Sequence, residues 1–169
     1  SIKIEMPPNK SSRIFCSEFV RSQETAKLFS NHIVISPQLN EIKFSMNDFS
    51  RPSDLPDNEW DKNKINRIRY KFSNALMENI LQEKQDQIIA RMEEFQKNMQ
   101  GKFSNESVLC CSHGFIMKLY ENFFWLQCRV RDFRELVSMY DWAKPPFEFL
   151  DGFVVLVKEN MFEVQKLKM

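Results

Sequence analysis

The sequence predicts an α/β fold in which helices cover the faces of a sheet, and three observations carry that prediction. Short apolar runs at 13–16, 32–36 and 108–111 have the length and residue types of strands. Between them lie stretches whose apolar residues recur at helical spacing. The chain then ends in two strand-like runs, 152–157 and 162–167, separated by Glu159-Asn160, the pattern of an antiparallel hairpin. A length of 169 residues without internal repeat or low-complexity tract fits one domain with a real core.

Taken in order, Arg13-Ile14-Phe15-Cys16 reads as a strand that stops at Ser17. A helix is expected over 18–30, with Phe19, Val20, Ala26, Leu28 and Phe29 apolar and Ser17 as its N-cap. His32-Ile33-Val34-Ile35-Ser36 is β-branched, and Pro37 closes it. Residues 37–62 carry three of the seven prolines among Asp, Asn and Ser, so they read as a long loop. Helices follow over 63–74 and 78–99. In the second, Leu81, Ile88, Met92, Phe95 and Met99 form one apolar stripe, which is a core face, and Gly101 suits the C-terminal cap. The strand at 108–111 leads into a helix over 115–128, and an aromatic-rich stretch fills 129–150 as core and lid.

Composition excludes several classes. A net charge of +1 offers no electrostatic footprint for nucleic acid or an anionic membrane surface. Apolar runs of five or six residues, such as 153–157, fall far short of a membrane span, and Ser-Ile-Lys-Ile-Glu-Met-Pro-Pro lacks the apolar core of a signal peptide. Three glycines in the whole chain leave no glycine-rich phosphate loop. Cys16, Cys110, Cys111 and Cys128 form no Cys-x-x-Cys pair, and only two histidines accompany them, so neither a zinc site nor any other metal or cofactor is expected. They read as reduced, mostly buried thiols of a cytoplasmic protein.

The segment that carries chemistry is Val108-Leu109-Cys110-Cys111-Ser112-His113-Gly114, an apolar strand ending abruptly in Ser-His-Gly before a helical pattern. Ligands in open α/β sheets sit at strand carboxyl ends, which is where His113 falls. A second segment lies upstream, Phe15-Cys16-Ser17-Glu18-Phe19-Val20-Arg21-Ser22-Gln23-Glu24-Thr25-Ala26, and a third is Leu39-Asn40-Glu41-Ile42. Together these resemble the histidine phosphatase (phosphoglycerate mutase-like) superfamily. In its motif Ser-x-x-x-Arg-Ala-x-Gln-Thr-Ala, Arg21, Thr25 and Ala26 keep the spacing here, with Glu24 in place of Gln. Leu39-Asn40-Glu41 is similar to its Leu-x-Glu segment, and Ser112-His113-Gly114 to its second histidine motif. The likeness spans roughly residues 13–120, and the Trp60 to Arg67 region with its following helix resembles a helical insert of some bacterial members.

The resemblance implies a three-layer αβα sandwich, phosphoglycerate mutase-like, with an α-helical insert. It implies that Arg21 and His113 cradle a phosphoryl group and that Glu41 protonates the leaving group. Chemistry supports those roles: a guanidinium fork matches phosphoryl oxygens, and a carboxyl group beside phosphate holds its proton more firmly. The plain alternatives are a surface arginine paired with Glu18 or Glu24 and a solvated loop carboxylate at Glu41.

The family's nucleophile is a histidine in an Arg-His-Gly motif after its first strand, and this chain has none. Its other histidine, His32, precedes a strand and belongs at the opposite end of the sheet. Ile2-Lys3-Ile4-Glu5-Met6 alternates apolar and charged residues, unlike a buried central strand. Residues 1–169 are thus expected to be a single domain whose nucleophile-bearing segment lies upstream, because losing a central strand would expose two backbone edges. The expected activity is metal-independent hydrolysis of a small phosphomonoester through a phosphohistidine. The rivals are a pseudophosphatase that binds phosphorylated ligands without turnover and an interaction module presenting Trp60, Trp125 and Trp142. Substrate identity and oligomeric state stay open.

Overall fold

In the computed structural model, β1 (Ile14–Cys16) is the central strand of a three-stranded parallel sheet, between β2 (Ile33–Ile35) and β3 (Leu109–Cys111). The structure describes residues 13–50, 61–103, 108–142, 144–145, 152–158 and 161–167. Ile14 lies opposite Ile33 and Leu109, and Cys16 opposite Ile35 and Cys111, so the carboxyl ends of all three strands align. Successive side chains of a strand point to opposite faces, and β1 uses both. Ile14 and Cys16 pack with Ala26 and Cys111 beneath α1 (Val20–Lys27), whereas Phe15 enters the large core on the other face. That core is built by α2 (Lys62–Met77), α3 (Gln85–Phe103), α4 (Gly114–Trp125) and α5 (Phe133–Ser138). Helices therefore lie on both faces of the sheet, giving the expected three-layer α/β arrangement.

The hairpin is present as β4 (Gly152–Lys158) and β5 (Met161–Leu167), antiparallel from Gly152↔Leu167 to Lys158↔Met161. It forms a sheet of its own, packed against α4, with Phe162 and Val164 in the core. The Gln127 side chain docks it there. Its amide donates to the Phe162 carbonyl at 2.8 Å and its carbonyl accepts from Phe162 N at 2.7 Å.

Several boundaries depart from expectation. α1 begins at Val20 with Phe19 as an N-cap whose side chain has no polar atom, and Ser17 stands two residues earlier with its hydroxyl against His113 and Phe19 N. The expected 78–99 helix starts instead at Gln85. Asn79 takes a left-handed φ of 58°, and Asn79 N and Ile80 N return to the Leu76 and Ala75 carbonyls, closing α2 in a Schellman turn. Leu81 is buried before α3 begins, and Gly101 lies inside α3 instead of capping it. α4 stops at Trp125 in a second such turn, with Gln127 and Cys128 both at positive φ. The 37–62 loop holds two short 3-10 turns, Pro37–Leu39 and Met46–Asp48. The alternating 2–6 segment, Trp60 and the Glu159-Asn160 turn lie outside the described residues.

All four cysteines are free thiols, and burial raises the pKa of each, to about 12 for Cys110 and Cys128 and about 11 for Cys111. Such thiols carry little thiolate at neutral pH and are poor nucleophiles. Among the described residues no helix is long and apolar enough to cross a membrane.

Candidate functional site

The carboxyl ends of β1 and β3 bring Ser17, Arg21 and His113 together. Ser17 N donates to the Cys111 carbonyl at 3.2 Å, extending the ladder one residue past β1. Arg21, in the first turn of α1, is exposed and donates from Nε to His113 Nδ1 at 3.0 Å. On the far side of the imidazole, Ser17 Oγ lies 2.7 Å from Nε2. The Phe19 ring meets the imidazole edge-on at 5.0 Å, and the Arg21 guanidinium lies 5.4 Å from the same ring. His113 is 6% exposed, and burial followed by the Arg21 charge pulls its pKa down to about 4. The imidazole is accordingly neutral at pH 7.

His113 is the N-cap residue of α4, yet its side chain makes no cap bond. Glu41 takes over that task. Glu41 Oε1 accepts from Ile116 N at 2.9 Å and from Ile42 N at 3.1 Å, and Oε2 accepts from Phe115 N at 3.3 Å. A carboxylate under the first turn of a helix satisfies orphan N–H groups and complements the helix dipole. Burial nonetheless pushes the Glu41 pKa up, and the backbone donors and Arg91 oppose that shift only in part.

Glu41 is in turn fixed by α3. Arg91 donates from Nη1 to the Gln38 and Asn40 carbonyls at 2.8 and 2.7 Å and forms a two-pronged ion pair with Glu83, with Nε–Oε1 at 2.6 Å. Tyr120 donates to the Gln38 carbonyl at 3.0 Å and Ser112 to that of Leu39 at 2.5 Å. The 37–41 segment is thereby tied to α3, to α4 and to the end of β3. Beside it opens a cavity of about 240 Å³ lined by Glu18, Asn40, Glu41, Lys43, Glu83 and Arg91 among others.

The structure thus joins two of the three sequence-predicted residues, Arg21 and His113, in direct contact. It sets Glu41 at the start of the helix that His113 caps. His32 precedes β2, at the opposite end of the parallel sheet from Ser17 and His113. Sequence reasoning missed the placement of Ser17, read as a helix cap, and of Phe19, for which no local signal exists. Among the described residues no group of three His, Cys, Asp or Glu side chains is arranged to hold a metal ion.

A parallel sheet with helices on both faces and polar residues gathered at the strand carboxyl ends defines an α/β protein of phosphoglycerate mutase-like fold. The chain belongs to the histidine phosphatase superfamily, branch 1, whose family model matches residues 5–136. A solved structure from Escherichia coli K-12, provisionally assigned as an alpha-ribazole-5'-P phosphatase, superposes with a TM-score of 0.58 at 17% identity, over 94% of this chain and 73% of that one. No curated protein sequence matches the chain.

Proposed function

We propose that this domain binds the phosphoryl group of a small phosphomonoester and serves its hydrolysis through a phosphohistidine intermediate. The observation that carries the reading is the Arg21–His113 contact at the carboxyl ends of β1 and β3, in a chain of the histidine phosphatase superfamily. An arriving anion draws the exposed Arg21 guanidinium toward its oxygens and leaves His113 Nδ1 facing the same space. Arg21 supplies positive charge to the equatorial oxygens as transfer proceeds, and His113 adds to it once the bound anion brings a proton onto Nδ1.

The attacking imidazole is assigned to neither His32 nor His113 of these 169 residues. Its nitrogen bonds to phosphorus as the ester P–O bond breaks, and water later splits the P–N bond to release phosphate. The departing alkoxide needs a proton, and Glu41 is assigned to give it. Oε1 is saturated by two N–H donors, so a proton on this carboxyl belongs on Oε2, which meets one donor at 3.3 Å. The raised pKa supports a carboxyl that holds its proton, and the cavity beside Glu41 offers room for the leaving group. The reading assigns no metal ion, and it places the protein in the cytoplasm, where buried thiols stay reduced.

The test is calorimetric titration with inorganic phosphate or vanadate. The wild-type chain is expected to bind, and Arg21→Ala to weaken binding more than tenfold, the size expected for losing a charge-assisted bond. No binding by the wild-type chain overturns the reading. The pseudophosphatase alternative rests on the lack of an Arg-His-Gly motif; it predicts the same binding, with no turnover by the full-length protein.

A further inference from the structure

We infer that Ser17 is a positioning residue of this site: its hydroxyl oxygen holds the Nε2–H of His113, which makes Nδ1 the nitrogen presented to a bound anion. The inference rests on the phosphate-binding reading above and assigns within it a residue and an atom.

A guanidinium donates and never accepts, so the 3.0 Å contact from Arg21 Nε requires a lone pair on His113 Nδ1. A neutral imidazole has one proton, and it must then sit on Nε2. At 2.7 Å from Nε2 the partner is Ser17 Oγ, which therefore accepts. The reverse arrangement, with Ser17 donating to Nε2, would put an N–H on Nδ1 against the N–H of Arg21 and is excluded by like polarity.

Ser17 suits the task because it cannot move. It is fully buried at 0% exposure, and its own N–H is held by Ser22 Oγ at 3.1 Å and by the Cys111 carbonyl. Ser22 in turn donates to that same carbonyl at 2.7 Å, from the position where the superfamily motif has alanine. Phe19 N donates to Ser17 Oγ at 3.3 Å. The end of β1, the first turn of α1 and the end of β3 thus converge on one hydroxyl.

The bond to Ser17 is indifferent to the protonation of His113. With the site empty, Arg21 occupies Nδ1. When an anion takes the guanidinium, the imidazole can accept a proton at Nδ1 and donate it to the anion, while Nε2–H keeps Ser17. The ring holds its orientation through both states, which is what preorganisation of an anion site demands.

The experiment uses the full chain labelled with ¹⁵N and reads the imidazole nitrogens at neutral pH by long-range correlation. His113 is expected as the Nε2–H tautomer, with exposed His32 as the internal reference. Added inorganic phosphate should shift Nδ1 toward its protonated position and leave Nε2 nearly unmoved. Ser17→Ala should move the Nε2 resonance, since that N–H loses its acceptor, and weaken phosphate binding about tenfold, the usual cost of one buried hydrogen bond. A Nδ1–H tautomer in the wild-type chain, or a Ser17→Ala variant with unchanged Nε2 resonance and phosphate affinity, overturns the role of Ser17. A phosphate response at Nε2 overturns the assignment of Nδ1. Phosphate that moves neither nitrogen is a separate result, and it overturns the phosphate-binding reading itself.

Discussion

A helix leaves its first N–H groups without partners, and at α4 the nearest side chain, His113, does not serve them. Glu41 serves them from another segment, which frees the imidazole to face Ser17 and Arg21. This division of labour predicts a stability cost that a solvated loop carboxylate would not show. Glu41→Gln keeps the shape but turns an NH₂ group toward backbone donors, so a buried polar group loses its match. Urea denaturation of this variant should show a loss of about 1–3 kcal/mol, whereas a change below about 0.5 kcal/mol would return Glu41 to the surface. The same residue shows where sequence reading stops. Leu39-Asn40-Glu41 could be singled out as a motif, yet its segment is held by Arg91 of α3, itself paired with Glu83 just before that helix, and no spacing in the chain announces it.

At the scale of elements, the strands and most helices were legible because burial dictates their residue types. Ile14-Phe15-Cys16 and Leu109-Cys110-Cys111 could hardly face water on either side, and Ile88, Met92 and Phe95 repeat at helical spacing. The ends were not legible, for two physical reasons. Asn79 closes α2 in the left-handed conformation that glycine usually takes, so the break before α3 carried no glycine to mark it. Ser17 has the residue type of a cap, but a tertiary partner claims its hydroxyl. Gly101 misled in the opposite sense: it sits inside α3, and a Cβ there would meet no atom within 4 Å. Gly101→Ala is accordingly expected to stabilise the protein by about 0.5–1 kcal/mol, read as a higher urea midpoint at unchanged slope. A lower midpoint would mean that the last turn of α3 is not helical in solution.

For the whole molecule, the site is coupled to folding through protons. The parallel sheet was legible as a class, but its order was not, and the separate pairing of β4 with β5 depends on how α4 seats the hairpin. His113 sits where these layers meet, buried and neutral, with its pKa pulled from 6.5 to about 4. Below pH 6.5 the unfolded chain takes up a proton on this histidine that the folded chain refuses. The stability His113 contributes is therefore complete above that pH and drains away as pH falls toward 4. Between pH 7 and pH 5 the loss comes to about 2 kcal/mol by linkage. Glu41 acts with the opposite sign: its pKa is raised on folding, so the folded chain binds that proton more readily and gains stability as pH falls. Comparison with His113→Gln separates the two, since the variant keeps Glu41 and every other carboxyl. Urea denaturation at pH 7 and pH 5 should show a loss about 2 kcal/mol larger in the wild-type chain than in the variant. Equal losses in the two proteins would mean that His113 titrates in the folded chain as it does in water, and the buried Arg21–His113–Ser17 contact would then not describe the molecule in solution.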